Sequence, residues 1–158
     1  MVVIQKAMVK DAKKLLQIQK EAFQLYFQKY GDFDSNPYYM TLHRMEFNIK
    51  YRFGQYYKVI DEKTLEVIGG IFAFELDQKD VMKIAQFYLG KPYQSLGYGK
   101  IILQYLIDQN PHVKKWYVDT IFQEEYNMEF YQHVGFEIID QEEEHEGLTF
   151  VTLLKTII

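Results

Sequence analysis

Apolar residues recur along this chain at two spacings, and the switches between them mark out its elements. Val2 to Ala7 reads as a short strand. Asp11 then opens a helix in which Leu15, Leu16, Ile18, Ala22, Phe23 and Tyr26 recur at helical spacing until Gly31. The polar run DFDSNP, residues 32–37, is expected as a loop. A second helix is expected over 38–52, with Tyr39, Leu42, Phe47 and Tyr51 set against Arg44, Glu46 and Lys50. The period then shortens. Tyr56–Ile60, the turn DEKT and Leu65–Glu75 read as a hairpin, with Gly69-Gly70 marking a bulge, and Lys79-Asp80 introduces a further strand, Val81–Leu89. Ile101, Ile102, Tyr105 and Leu106 form a helix that stops before Asn110-Pro111, and Val113–Val118 is a strand. Glu124–Val134 is a short helix closed by Gly135, which suits a left-handed position after a helix end. Phe136–Asp140 and Leu148–Lys155 are the last strands, joined across QEEEHEG. The order β-α-α-β-β-β-α-β-α-β-β describes one mixed α+β domain over residues 1–158.

Composition narrows the function classes. Apolar residues are 48% and aromatics 17% of the 158-residue chain, enough for a sizeable core and too rich for disorder. A net charge of −4 gives a nucleic-acid partner no general electrostatic support. The absence of cysteine excludes a disulfide framework, a Cys-based zinc site and a catalytic thiol. His43, His112, His133 and His145 share no ligand spacing, so no metal is expected. No stretch approaches the roughly 18 apolar residues of a membrane span, and MVVIQKAMVKDAKK lacks the apolar core of a signal peptide. The expectation is a cytoplasmic protein without membrane contact.

The candidate chemistry starts at QSLGYGK, residues 94–100, between a buried strand and an apolar helix. The dinucleotide fingerprint G-x-G-x-x-G fails because Ile102 stands where the third glycine belongs. The P-loop fails because Gln94 and Ile101 replace its first glycine and its final Ser or Thr. A third template, Gln/Arg-x-x-Gly-x-Gly/Ala, fits at each fixed position. In it Gly97 and Gly99 let backbone N–H groups approach an anion, the following helix adds its positive pole, and Lys100 adds charge.

With this loop and FYQHVGF, residues 130–136, the chain resembles the GNAT superfamily of N-acetyltransferases, which use acetyl coenzyme A. Tyr131 lies 37 residues after Gln94, which leaves room for a helix, a strand and a helix. The resemblance implies a mixed, mostly antiparallel twisted sheet flanked by helices. It implies that acetyl-CoA is the cosubstrate. The backbone of Phe87, Tyr88 and Leu89 would lie along the pantetheine arm, and Gln94, Ser95, Leu96, Gly97, Tyr98, Gly99 and Lys100 would form the diphosphate cradle. Tyr131 would protonate the departing thiolate, a half-buried structural aromatic being the plain alternative. Many relatives carry Asn and Ala where this chain has Glu124 and Asn127; Asn127, one turn before Tyr131, would still reach the cofactor. Many also carry a Glu or His base on the strand before the loop, where VMKIAQF offers only Lys83 and Gln86. Glu75 and Asp119, at the ends of the neighbouring strands, are the candidate bases, directly or through water.

The acceptor is expected to be a small-molecule or peptide primary amine. Glu142, Glu143, Glu144 and Glu146 form either a solvated hairpin tip or a lure for a cationic substrate. The aromatics Tyr38, Tyr39, Phe47, Tyr51, Phe53 and Tyr56 lie in the segment expected to shape the acceptor pocket; most are expected in the core and one or two along the pocket. A non-catalytic CoA-binding sensor or assembly module is the alternative function, and edge strands leave a homodimer open.

Overall fold

The computed structural model describes residues 1–30 and 37–158. The strands are β1 (Val2–Lys6), β2 (Gly54–Asp61), β3 (Val67–Glu75), β4 (Val81–Leu89), β5 (Lys115–Ile121), β6 (Glu137–His145) and β7 (Leu148–Thr156). The helices are α1 (Ala12–Tyr30), α2 (Leu42–Lys50), α3 (Tyr98–Asp108) and α4 (Glu125–His133). The expected stop at Gly31 and the loop over 32–37, apart from Pro37, lie outside the described residues.

One sheet carries the order β1-β2-β3-β4-β5-β7-β6. Neighbours joined by short turns are antiparallel, while β4 and β5, joined through α3, are parallel as a helical crossover requires. The sheet is covered on both faces, so β3 reads as a near-continuous apolar run. Its Phe72 joins Leu15, Ile18, Met45, Tyr56 and Tyr88 beneath α1 and α2. Its Ile71 and Ala73 join Ile102, Leu106, Trp116, Val118 and Leu153 on the face of α3 and α4.

Two irregularities shape the centre. Phe72 pairs with Gln86 but Ala73 pairs with Ile84, so Ala85 is an extra residue in β4. Such a bulge bends its strand. The parallel pairing of β4 with β5 runs from Val81↔Lys115 only to Ile84↔Val118, although both strands continue. Past that point they diverge, and the main chain of β4 from Ala85 to Leu89 faces a gap in place of a partner strand.

Several boundaries differ from expectation for local reasons. Helix α2 begins at Leu42 because Thr41 caps it, accepting from the Arg44 amide at 3.1 Å. The Asp11 carboxylate accepts from the Met8 amide at 2.8 Å and pairs with Lys58 Nζ at 3.0 Å, tying the start of α1 to β2. The β2–β3 bulge falls at Ile68, since Val59 pairs with Gly69 and Ile60 with Val67. Gly69 and Gly70 serve close packing, a Cβ on Gly69 falling 2.4 Å from the Tyr88 carbonyl oxygen. Gly69→Ala is therefore expected to cost about 2 kcal/mol, read in thermal unfolding as a Tm roughly 5 °C lower. An unchanged Tm would show that β3 and β4 separate locally without loss.

The largest difference is the acidic run. QEEEHEG was expected to connect two strands, yet most of it is β6, with Gln141↔Val151, Glu142↔Phe150 and Glu143↔Thr149 in register. As an exposed edge strand it needs no apolar alternation, so its pairing leaves no periodic signature. Gly135 does take the left-handed conformation expected of it, at φ 101°.

Candidate active site

The loop after β4 is drawn shut by its own glutamine: Gln94 Nε2 donates to the Leu89 carbonyl at 2.9 Å. Ser95 (φ 62°) and Gly97 (φ 82°) are left-handed, and Gly97 is the residue from which α3 starts. Alternation of this kind gathers successive amides into a concavity. No acceptor among the described residues takes the amides of Ser95, Leu96, Gly97, Tyr98 or Gly99, and the last two begin a helix whose first-turn donors have no intrahelical partner. The two glycines divide the work. A Cβ on Gly97 would meet nothing within 4 Å, so it borders open space, whereas a Cβ on Gly99 would lie 3.1 Å from the Phe130 ring. Gly97 supplies the backbone conformation, and Gly99 lets α3 approach α4.

Two clefts, each of about 560 Å³, flank the point where β4 and β5 separate. The first is lined by Phe87, Tyr88, Leu89, Gln94, Ser95, Gly97, Tyr98, Gly99, Lys100 and His133. Leu96 is not among its lining residues and is 57% exposed. Tyr88 turns its hydroxyl to Tyr56 Oη, 2.5 Å away in the other core. The second cleft is lined by Lys83, Gln86, Asp119, Thr152 and the acidic strand. Phe23, Tyr26, Phe87, Asn127 and Tyr131 line both, so the two meet there.

Tyr131 is 8% exposed, and its hydroxyl has no hydrogen-bond partner among the described residues. Burial, with a smaller contribution from Tyr26, pushes its pKa above the ordinary tyrosine value, so the phenol keeps its proton. Tyr26 on α1 is a second hydroxyl at the junction. It accepts from Asn127 Nδ2 at 2.6 Å, which leaves its own O–H free to donate. Burial and the nearby Glu124 carboxylate push it up to about 12, against the hydrogen bond from Asn127. Sequence reading placed Tyr26 only among helical core positions; its partner is 101 residues away, and no local pattern links them.

The two unusual residues at the start of α4, Glu124 just before it and Asn127 within it, are explained by α1. Glu124 Oε2 accepts from Lys29 Nζ at 2.9 Å and from the Tyr30 hydroxyl, while Asn127 holds Tyr26. Together they clamp the end of α1 over the junction.

Of the two carboxylates considered as bases, Asp119 lines the second cleft and Glu75 does not. Asp119 is the first β5 residue past the last β4 pair. Its Oδ2 is 2.6 Å from Lys83 Nζ, and its Oδ1 accepts from Thr152 Oγ1 at 2.8 Å. Gln86 Oε1 is buried in the same cleft without a partner among the described residues. None of the aromatics expected to shape this pocket lines it. Phe47 and Tyr51 border a separate depression on α2, and Tyr56 is core. Among the described residues no cluster of three His, Cys, Asp or Glu side chains is able to hold a metal, and no helix is long and apolar enough to cross a membrane.

A parallel strand pair that splays beside a bulge is followed by a cradle of free amides at a helix start. A sequence profile of the Acetyltransferase (GNAT) family matches residues 12–136. The chain belongs to that family. Solved structures agree on the fold. An acetyltransferase of the GNAT family from Staphylococcus aureus Mu50 superposes with a TM-score of 0.78 at 19% identity, covering 99% of each chain. The ribosomal-protein-S18-alanine N-acetyltransferase of Escherichia coli gives 0.75 at 15% identity, covering 99% of this chain and 94% of that one. A chimeric spermidine N-acetyltransferase from Vibrio cholerae and hSSAT gives 0.76 at 14%, covering 98% and 95%. No curated protein sequence gives a significant match.

Proposed function

We propose that residues 1–158 form a single N-acetyltransferase domain that takes the acetyl group of acetyl-CoA and delivers it to a primary amine. The observation that carries this reading is the position of Tyr131, a protonated phenol with no hydrogen-bond partner among the described residues, where the two clefts meet. The first cleft fits the donor. Its amides from Ser95 to Lys100 and the positive pole of α3 suit a diphosphate, and the unpaired edge of β4 from Phe87 to Leu89 suits the amide groups of a pantetheine arm. When bound there, the thioester supplies an activated acetyl group.

The chain's own residues do the rest. The β4 edge and the cradle hold the donor in line with the second cleft. Phe23 and Phe87 exclude water at the junction. The amine enters through the second cleft as the neutral base, which alone has a lone pair to attack with. Gln86 Oε1, an unsatisfied acceptor, orients one of its N–H groups. Tyr131 Oη delivers a proton to the departing sulfur and regains one from solvent, and Tyr26 stands beside it as a further donor. Asp119, directly or through water, receives the proton that the amine sheds; its contacts with Lys83 and Thr152 fix its position.

The test is to supply acetyl-CoA with a panel of amines, following free thiol and acetylated product, beside calorimetric titration with CoA. Thiol release matched by acetylated amine is the expected result. CoA binding without transfer to any amine would leave a binding module in its place, and no interaction with CoA would remove the reading altogether.

A further inference from the structure

The floor of the second cleft carries a charge pattern that resting on a generic amine acceptor does not explain. Across the sheet, Asp119 pairs with Thr152, and Thr152 pairs with Asp140, so two carboxylates flank one threonine in a single row. Strand spacing puts their main chains about 10 Å apart. In the next row on the same face, Ile121 pairs with Phe150 and Phe150 with Glu142. Asp119, Asp140, Glu142 and Glu144 all line the cleft, against one basic residue, Lys83. Lys83 is already paired with Asp119 at 2.6 Å. No Lys or Arg among the described residues pairs with Asp140, Glu142 or Glu144, so three like charges stand together without an internal counter-charge.

Acidic residues on a strand edge are ordinary in solvent. Here two further observations point to a ligand. Tyr131, more than nine-tenths buried, has no hydrogen-bond partner among the described residues at the inner end of the same cleft. Gln86 Oε1 is a buried carbonyl oxygen that takes no N–H donor among the described residues. The hairpin bearing the acids is also held over the cleft, His145 Nε2 lying 3.3 Å from the Tyr30 carbonyl oxygen at the end of α1.

We infer that the acceptor is a linear molecule with at least two amino groups, one reacting and the other remaining a cation. This rests on the acetyltransferase reading and specifies its substrate. The neutral amine sits at Gln86 and Tyr131, inside. The distal ammonium sits over Asp140 and Glu142, where it answers the surplus negative charge. A monoamine of equal length fills the inner position and leaves the outer charges facing water.

The experiment compares 1,4-diaminobutane with n-butylamine, in acetyl transfer and in direct calorimetric binding to the CoA complex. Two partly exposed ion pairs correspond to a preference of about tenfold in kcat/KM for the diamine at low salt. Raising the ionic strength is expected to compress that ratio. In the double variant Asp140→Asn, Glu142→Gln, both exposed positions, the ratio is expected to fall toward one in both measurements. Transfer to both amines with equal efficiency, or a preference that the double variant leaves intact, overturns the inference while the acetyltransferase reading stands. Diamine binding that is lost in the double variant, without transfer to any amine, supports the cation site and removes the enzymatic reading.

Discussion

Tyr131→Phe is expected to lower kcat about 10²-fold, the lower end of what a positioned general acid contributes. The substitution removes one oxygen and nothing else. That oxygen has no hydrogen-bond partner among the described residues, and the ring stays packed edge-on against Phe130 and Phe136 at 5.2 and 5.4 Å. Stability is therefore expected to hold, and titration with CoA still shows binding. A variant with unchanged turnover would show that the thiolate leaves without this proton. The pH dependence follows from the direction of the shift. Burial raises the pKa above the ordinary tyrosine value of about 10. A group that acts protonated and titrates late imposes no fall in kcat as pH rises through 9. A descending limb near pH 8 would assign the proton to another group.

Gly97→Val is expected to raise the Kd for CoA about tenfold. Gly97 holds φ at 82°, which costs a β-branched residue roughly 1–2 kcal/mol, and each 1.4 kcal/mol is about a factor of ten. The loop can relieve that strain by rotating, and in doing so it turns the amides of Ser95 to Gly99 away from a common point. Because a Cβ there meets nothing within 4 Å, the fold itself is little affected. Gly99→Val is the contrasting variant. Its side chain enters the 3.1 Å gap to Phe130 and is expected to lower Tm. Calorimetry with CoA and thermal unfolding of both variants separate the two roles. Undiminished affinity in Gly97→Val would show that the cradle does not depend on the left-handed residue.

The loop that borders the first cleft was legible in the chain because local geometry writes itself into local sequence. A left-handed start to α3 demands a residue like Gly97, and a strand buried on both faces demands a run like Val81–Leu89. The place of Tyr131 was legible for the same reason, on a short helix ended by Gly135. The lining of the second cleft was not. Glu75 and Asp119 looked equivalent as strand-end carboxylates, and only the order of strands brings Asp119 to the cleft. Tyr26 looked like one more apolar position of α1 until Asn127 was brought against it from the far end of the chain.

The sequence by itself determined the element order, the turn chemistry and the residues around the two glycine motifs, since periodicity, capping and backbone sign are fixed within a few residues. The tertiary structure alone decided where β4 and β5 part, that the acidic run is a strand aligned with Asp119, and which hydroxyls share the junction. Those depend on register between strands and on contacts spanning about a hundred residues. No short window of sequence carries them, because the energies that fix them arise only when the sheet is complete.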